Sequence, residues 1–165
     1  MKESYTTITD KDVFKTRGIF GILHYRDALT SSEPLEKLIE KQIDQAMIDK
    51  IAAEHRKGRR LYVGTSNLDA QGMMVWDMGG IAASGHPSAR KLFCRVLLAS
   101  ASIPVAFPPV YFDVEAAGKR YDEMHADGGV MAQVFGTALL ARLTEHSGQH
   151  QGRLFLVRNA QLTPK

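Results

Sequence analysis

The sequence predicts a single domain of the α/β class. Short runs rich in β-branched and aromatic residues, bounded by Gly, Pro or Asp, alternate with longer stretches whose apolar residues recur at helical spacing. Such alternation is typical of strands and helices packed in layers. The chain has 165 residues and is 44% hydrophobic, which suffices for one buried core but not for two domains of ordinary size.

The N-terminal third predicts a short apolar strand or loop and then one long helix. The run at 17–25 lies between turn signals. Pro34 suits a first helical position, with Ser32 or Glu33 as cap, and apolar residues then recur at helical spacing as far as Gly58. This stripe of Leu, Ile and Met predicts a helix face buried in the core rather than a cofactor site.

The middle of the chain predicts two adjacent strands or a hairpin, at 60–68 and 73–78, joined by a turn. The glycines at 79–85 predict a loop, and Pro87 predicts the start of a helix that runs to about Ser102. Because this helix is apolar over most of its circumference, we expect it to pack against a sheet.

The last part predicts two further strands, at 110–115 and 120–126, joined across a tight turn. A helix at 133–145 and a strand at 153–158 complete the set. The second strand of the pair leads directly into Asp127.

Asp127 is the main candidate for a functional residue. It lies at the exit of a predicted strand, where a rigid element can aim its side chain. Gly128 and Gly129 follow it and permit backbone angles and close approaches that other residues resist. The alternative is a plain turn, since Asp-Gly is a common turn dipeptide.

The sequence around Asp127 resembles the C-terminal half of the patatin-like phospholipase domain, bacterial type. Residues 99–110 read ASASIPVAFPPV and are followed by Asp127-Gly128-Gly129, in the order that the family shows. Residues 58–69 are similar to the strand that precedes this block. The resemblance covers about 58–158, after a loop and amphipathic helix at 1–57.

The resemblance implies part of a three-layer α/β/α domain and a serine-dependent lipid acyl hydrolase, a phospholipase or esterase with a Ser-Asp dyad. Asp127 falls on the catalytic aspartate, which would deprotonate the serine. Gly128 and Gly129 would support the motif through shape. No cofactor is implied, and the substrate would be a lipid or simple acyl ester.

The nucleophile motif of that family, Gly-x-Ser-x-Gly, is absent from this sequence. Ser66, Ser84, Ser100 and Ser102 all lack the paired glycines, so we expect each to be structural. We therefore expect the chain to be a truncated part of a longer hydrolase that is inactive alone. The alternative is a catalytically inactive α/β binding or interaction module derived from that fold.

Charge and composition limit the other classes of function. The net charge is +3 and the pI about 9.0, but the cations are scattered except at Arg56, Lys57, Arg59 and Arg60. This cluster follows a predicted helix, where cations stabilise the C-terminus, and one short cluster does not predict nucleic-acid binding.

The cysteine and histidines predict neither a disulfide nor a metal site. Cys94 is the single cysteine and lies in an apolar segment, which indicates a core position. The histidines lack zinc-site spacing. His125 would point to the same side of the strand as Asp127, and we expect it to be a satisfied polar partner outside the catalytic set.

The sequence contains no apolar run long enough for a membrane span and no signal-peptide core near its start. We predict no transmembrane segment, and the compartment stays open with the cytoplasm favoured. Peripheral membrane contact would be compatible with a lipid substrate. If the domain is truncated, exposed apolar sheet edges would favour self-association.

Overall fold

A computed structural model describes residue 13, residues 15–16 and residues 30–131. Its helices and strands confirm the predicted α/β class. In chain order the elements are β1 (Lys15–Thr16), β2 (Thr30–Ser31), α1 (Glu33–Gln42), α2 (Gln45–Arg56), β3 (Tyr62–Asn67), β4 (Gly72–Asp77), α3 (Met78–Ala83), α4 (Ala89–Ser100), β5 (Val110–Ala116) and β6 (Lys119–Asp127).

Four strands form one antiparallel sheet in the order β4-β3-β6-β5. The β3–β4 hairpin pairs Tyr62 with Asp77, which confirms the two strands predicted there. The β5–β6 hairpin confirms the second predicted pair. Its turn places Ala117 and Gly118 at φ 51° and 72°, the left-handed conformations that tight hairpin turns require.

The long helix predicted before Gly58 is in fact two helices. Ile43 leaves the helical region at φ −101° and ψ 80°, and the Asp44 side chain accepts a hydrogen bond from the Met47 amide at 2.8 Å. Asp44 thus caps a new helix, α2, because a short carboxylate satisfies an amide that would otherwise lack a partner. Pro34 does lie in the first turn of α1, as predicted.

The loop predicted at 79–85 is wrong, because α3 follows β4 directly. Asp77 caps this helix by accepting from the Gly80 amide at 2.8 Å. A β-carbon at Gly79 would lie 2.3 Å from His55 Nδ1. Gly79 therefore serves the close packing of α3 against α2 rather than a loop conformation.

The predicted helix after Pro87 is confirmed as α4, which starts two residues later than expected. It lies on one face of the sheet and buries Phe93, Val96 and Ala99 in a core with Phe112 of β5. Burial of one side chain the size of Phe93 stabilises the fold by about 1.5–3 kcal/mol. Helices α2 and α3 complete this core with Ile48, Ala52, Met78 and Ala82.

Strand β6 connects the two hairpins, since it pairs with β5 along its length and with β3 at its end. The pairs with β3 run from Thr65–Asp127 to Asn67–His125. Three predicted segments, the strand or loop at 17–25, the helix at 133–145 and the strand at 153–158, lie outside the described residues.

Candidate functional site

Asp127 is the last residue of β6 and is held by its neighbours on three sides. Its amide donates to the Ser102 carbonyl oxygen at 2.9 Å, and its own carbonyl oxygen accepts from Ser66 Oγ at 2.8 Å. Its carboxylate atom Oδ1 accepts from the Gly129 amide at 2.7 Å. The side chain is half-buried. These bonds fix both the backbone and the carboxylate of Asp127 at the exit of the strand.

The two glycines after Asp127 shape this exit. A β-carbon at Gly128 would lie 2.6 Å from the Gly64 carbonyl oxygen, so residue 128 passes directly against β3. A β-carbon at Gly129 would lie 3.2 Å from Asp127 Oδ1. The chain then makes one turn of 3-10 helix, Gly128–Val130. The glycines thus permit close strand contact and leave space beside the carboxylate.

His125 is fully buried and does not bond to Asp127. Its Nδ1 lies 2.8 Å from Thr65 Oγ1, and its Nε2 lies 3.3 Å from Glu123 Oε2. The indole of Trp76 donates to the same Thr65 oxygen at 2.8 Å. In the tautomer with the proton on Nε2, that nitrogen donates to the Glu123 carboxylate and Nδ1 accepts from the Thr65 hydroxyl.

The other members of this polar chain, Thr65, Trp76 and Glu123, were not predicted from the sequence. The imidazole of His125 also packs edge-on against Phe112, with ring centroids 4.9 Å apart, and lies 5.6 Å from Trp76. Alternation along β3 and β6 could have placed Thr65 and His125 on one face, but strand register is needed to bring them together.

An apolar groove lies next to Asp127, on the sheet face opposite the one that carries Thr65 and His125. It has a volume of about 360 Å³ and is lined by Leu68, Tyr111, Met124, Ala126 and the loop residues Pro104, Val105, Phe107 and Pro109. Val105 adopts φ 73° and is 69% exposed. A β-branched residue in this conformation is strained by about 1–3 kcal/mol, and such strain persists only where surrounding contacts enforce it.

The loop that carries Val105 is tied to the rest of the fold at two points. The Ser102 carbonyl oxygen accepts from the Asp127 amide, and the Ala106 carbonyl oxygen accepts from the Thr30 amide at 3.1 Å. The strained loop and the candidate carboxylate are therefore parts of one hydrogen-bonded unit.

This loop, strand and Asp-Gly-Gly turn lie within a match to a protein family. A family model described as Patatin-like phospholipase matches residues 2–138, which is most of the chain. The chain belongs to the patatin-like phospholipase family. The match includes the loop at 99–110 and Asp127 with its two glycines. No curated protein matches the chain.

Three serines of this patatin-like chain, Ser66, Ser84 and Ser102, donate to main-chain carbonyl oxygens. Ser66 and Ser102 are 0% and 1% exposed and donate to the carbonyl oxygens of Asp127 and Leu98. Ser84 donates to the Ile81 carbonyl oxygen at the end of α3. Ser66 pairs with Ala126, so it lies on the sheet face opposite the Asp127 side chain. None of these three hydroxyls is hydrogen-bonded to that carboxylate.

Neither a metal cluster nor a membrane-spanning helix is found among the described residues. Within residues 30–131 and the short described segment before them, no three His, Cys, Asp or Glu side chains are grouped to hold a metal ion. In the same part of the chain, no helix has the length and apolar character needed to cross a bilayer.

Proposed function

We propose that this chain supplies the general base of a Ser-Asp acyl hydrolase, a phospholipase or esterase that cleaves carboxylic esters of lipids. The observation that carries the proposal is the fixed carboxylate of Asp127 at the end of β6, within the region matched by the family. The nucleophilic serine would lie outside this chain. The chain alone would therefore be inactive.

The geometry supports different roles for the two carboxylate oxygens of Asp127. Oδ1 is engaged by the Gly129 amide, so a reacting hydroxyl would approach Oδ2. Oδ2 would take the proton of the serine as its oxygen attacks the ester carbonyl carbon. That proton would then pass to the departing alcohol as the ester C–O bond breaks, which leaves an acyl enzyme.

The second half of the reaction would use the same carboxylate. Oδ2 would accept a proton from a water molecule as that water attacks the acyl carbon, and the serine would recover its proton as the fatty acid leaves. The negative charge on the carbonyl oxygen would require amide donors. We assign these donors to a glycine-rich segment that this chain does not contain.

A second function is supported by a specific contact. The bond from the Gly129 amide to Asp127 Oδ1 is the bond that an ordinary Asp-Gly turn makes, and it needs no catalytic role. On this reading the chain is an inactive binding or interaction module derived from the patatin-like fold.

The decisive experiment starts from the coding DNA upstream of Met1. If an open frame continues into Gly-x-Ser-x-Gly, the longer product should hydrolyse a lipid ester. Asp127→Asn should then lower kcat by a factor of about 10² to 10⁴, since a general base contributes that much. Asp122→Asn, an exposed carboxylate on the same strand, is the matched control and should retain full kcat.

This experiment can refute either proposal, the general base or the interaction module. If the Asp127→Asn protein has the melting temperature of its parent and unchanged turnover, the role of Asp127 as base is refuted. A stop codon with a ribosome-binding site upstream would instead support the interaction module.

A further inference from the structure

A second chemically distinctive surface lies where α2 meets β3. Residues 50–60 contain five Lys or Arg side chains and one Glu, a net charge of +4 in a chain whose total is +3. All five cations are exposed: Lys50, Arg56, Lys57, Arg59 and Arg60. The rest of the chain is therefore nearly neutral, and its positive field originates here.

Three of these cations line an apolar depression. A pocket of about 230 Å³ is lined by Ile51 and Leu61, with Lys50, Arg59 and Arg60 also at its wall. Leu61 is 43% exposed although it is apolar. An exposed apolar side chain beside several cations suits a surface that is itself anionic outside and apolar beneath.

One carboxylate moderates this charge. Glu54 lies 2.7 Å from Lys57 Nζ and 3.1 Å from Arg59 Nε. The hydrogen bond and charge of Lys57 hold the pKa of Glu54 below its usual value, so it stays ionised. Removal of this side chain would raise the local positive charge without removing a cation.

This surface opens at the same end of the sheet as Asp127. Asp127 ends β6 opposite Thr65, and antiparallel β6 points toward the start of β3. Leu61 precedes β3, four residues before Thr65, which is about 13 Å along a strand. The β5–β6 turn at Ala117 and Gly118 lies at the opposite end of β6.

We propose that residues 50–61 are the surface with which this protein contacts an anionic lipid bilayer. The cations bind the anionic headgroups, and Leu61 enters the interfacial region between them. The proposal rests on the proposed function, because a lipid hydrolase must reach esters held in a bilayer. It places Asp127 at the end of the sheet that faces the membrane. A nucleic acid fits less well, since residues 50–61 contain no Phe, Tyr or Trp on which bases could stack.

The test is sedimentation of the 165-residue chain with vesicles of ether-linked phosphatidylcholine, with or without about 30 mol % ether-linked phosphatidylglycerol. We expect binding to the anionic vesicles only, and its loss at about 0.5 M NaCl, where surface charges are screened. Because ether lipids have no carboxylic ester, binding is measured independently of hydrolysis.

Variants then locate the surface. Lys50→Gln combined with Arg59→Gln should weaken binding about 30-fold, because each cation near the bilayer contributes about 1 kcal/mol. Glu54→Gln should strengthen binding about fivefold for the same reason. Lys119→Gln with Arg120→Gln, at the far end of β6, is the matched control and should leave binding unchanged.

Equal binding to neutral and anionic vesicles would overturn the proposal, as would tighter binding to a short DNA duplex than to anionic vesicles. So would an equal loss of vesicle binding in the Lys119 and Arg120 control, or unchanged vesicle binding in Glu54→Gln. Hydrolysis is scored separately, on the longer product with a dispersed ester. Vesicle binding without any Asp127-dependent hydrolysis would refute only the proposed function. Hydrolysis of a dispersed ester without vesicle binding would refute only the membrane surface.

Discussion

Gly128 passes so close to Gly64 that a β-carbon on residue 128 would lie 2.6 Å from the Gly64 carbonyl oxygen. The contact is between two backbones, so neither side can move aside as a flexible side chain would. It joins the Asp-Gly-Gly turn to the centre of the sheet.

This contact predicts that Gly128→Ala destabilises the fold. The added methyl group would push β6 away from β3, at a cost of about 1–3 kcal/mol, the usual effect of an overpacked interior. Urea unfolding measures the loss. Gly72→Ala is the control, because a β-carbon there would meet only ordinary contact at 3.8 Å. Equal stability of the two variants would contradict the proposed clash.

The chain from Trp76 through Thr65 to His125 predicts a second effect. Thr65→Val would leave the buried imidazole Nδ1 and the half-buried indole N–H without their common partner, at a cost of about 1–3 kcal/mol for the buried group. Thr65→Ser keeps the hydroxyl and should cost clearly less. Trp76 is the single tryptophan, so its fluorescence follows unfolding directly. If both variants unfold at the same urea concentration, the hydroxyl is not needed.

Cys94 gives a prediction about pH. Burial raises the pKa of its thiol above the usual value, and nearby Arg90 offsets this only in part. The unfolded chain therefore loses this proton first as pH rises. The contribution of Cys94 to stability is complete below the pKa of the unfolded thiol and is lost as pH rises through the pKa of the folded thiol.

The same shift predicts slow alkylation of Cys94. At about pH 8 the folded chain should react with iodoacetamide much more slowly than the chain in urea, because only the thiolate is a good nucleophile. Mass spectrometry gives an unambiguous result, since Cys94 is the only cysteine. Equal rates with and without urea would show that the thiol is accessible in the native fold.

The serines predict the response to a fluorophosphonate probe. Ser66 and Ser102 are buried and donate to carbonyl oxygens, so neither is activated for attack. We expect no labelling of the isolated chain. Stoichiometric labelling of Ser66, Ser84, Ser100 or Ser102 would refute the assignment of the nucleophile to a segment outside the chain.

Local sequence signals predicted the elements whose causes are local. The β5–β6 hairpin follows from two strand-like runs around a turn with glycine, and α4 follows from apolar residues around most of a helix. At two points a helix cap overrode the local pattern on which the prediction rested. Asp44 ended one helix and capped the next, and Asp77 started α3 within a glycine-rich stretch that resembled a loop.

The sequence by itself determined the α/β class, the family and the position of Asp127 at a strand exit, because periodicity and motif order lie along the chain. Only the tertiary structure decided what surrounds Asp127. The pairing of β6 with β3 brings Thr65 to His125 and Ser66 to the Asp127 carbonyl oxygen, across about 60 residues of sequence. Strand register sets such contacts, and a shift by one residue would turn every side chain to the other face.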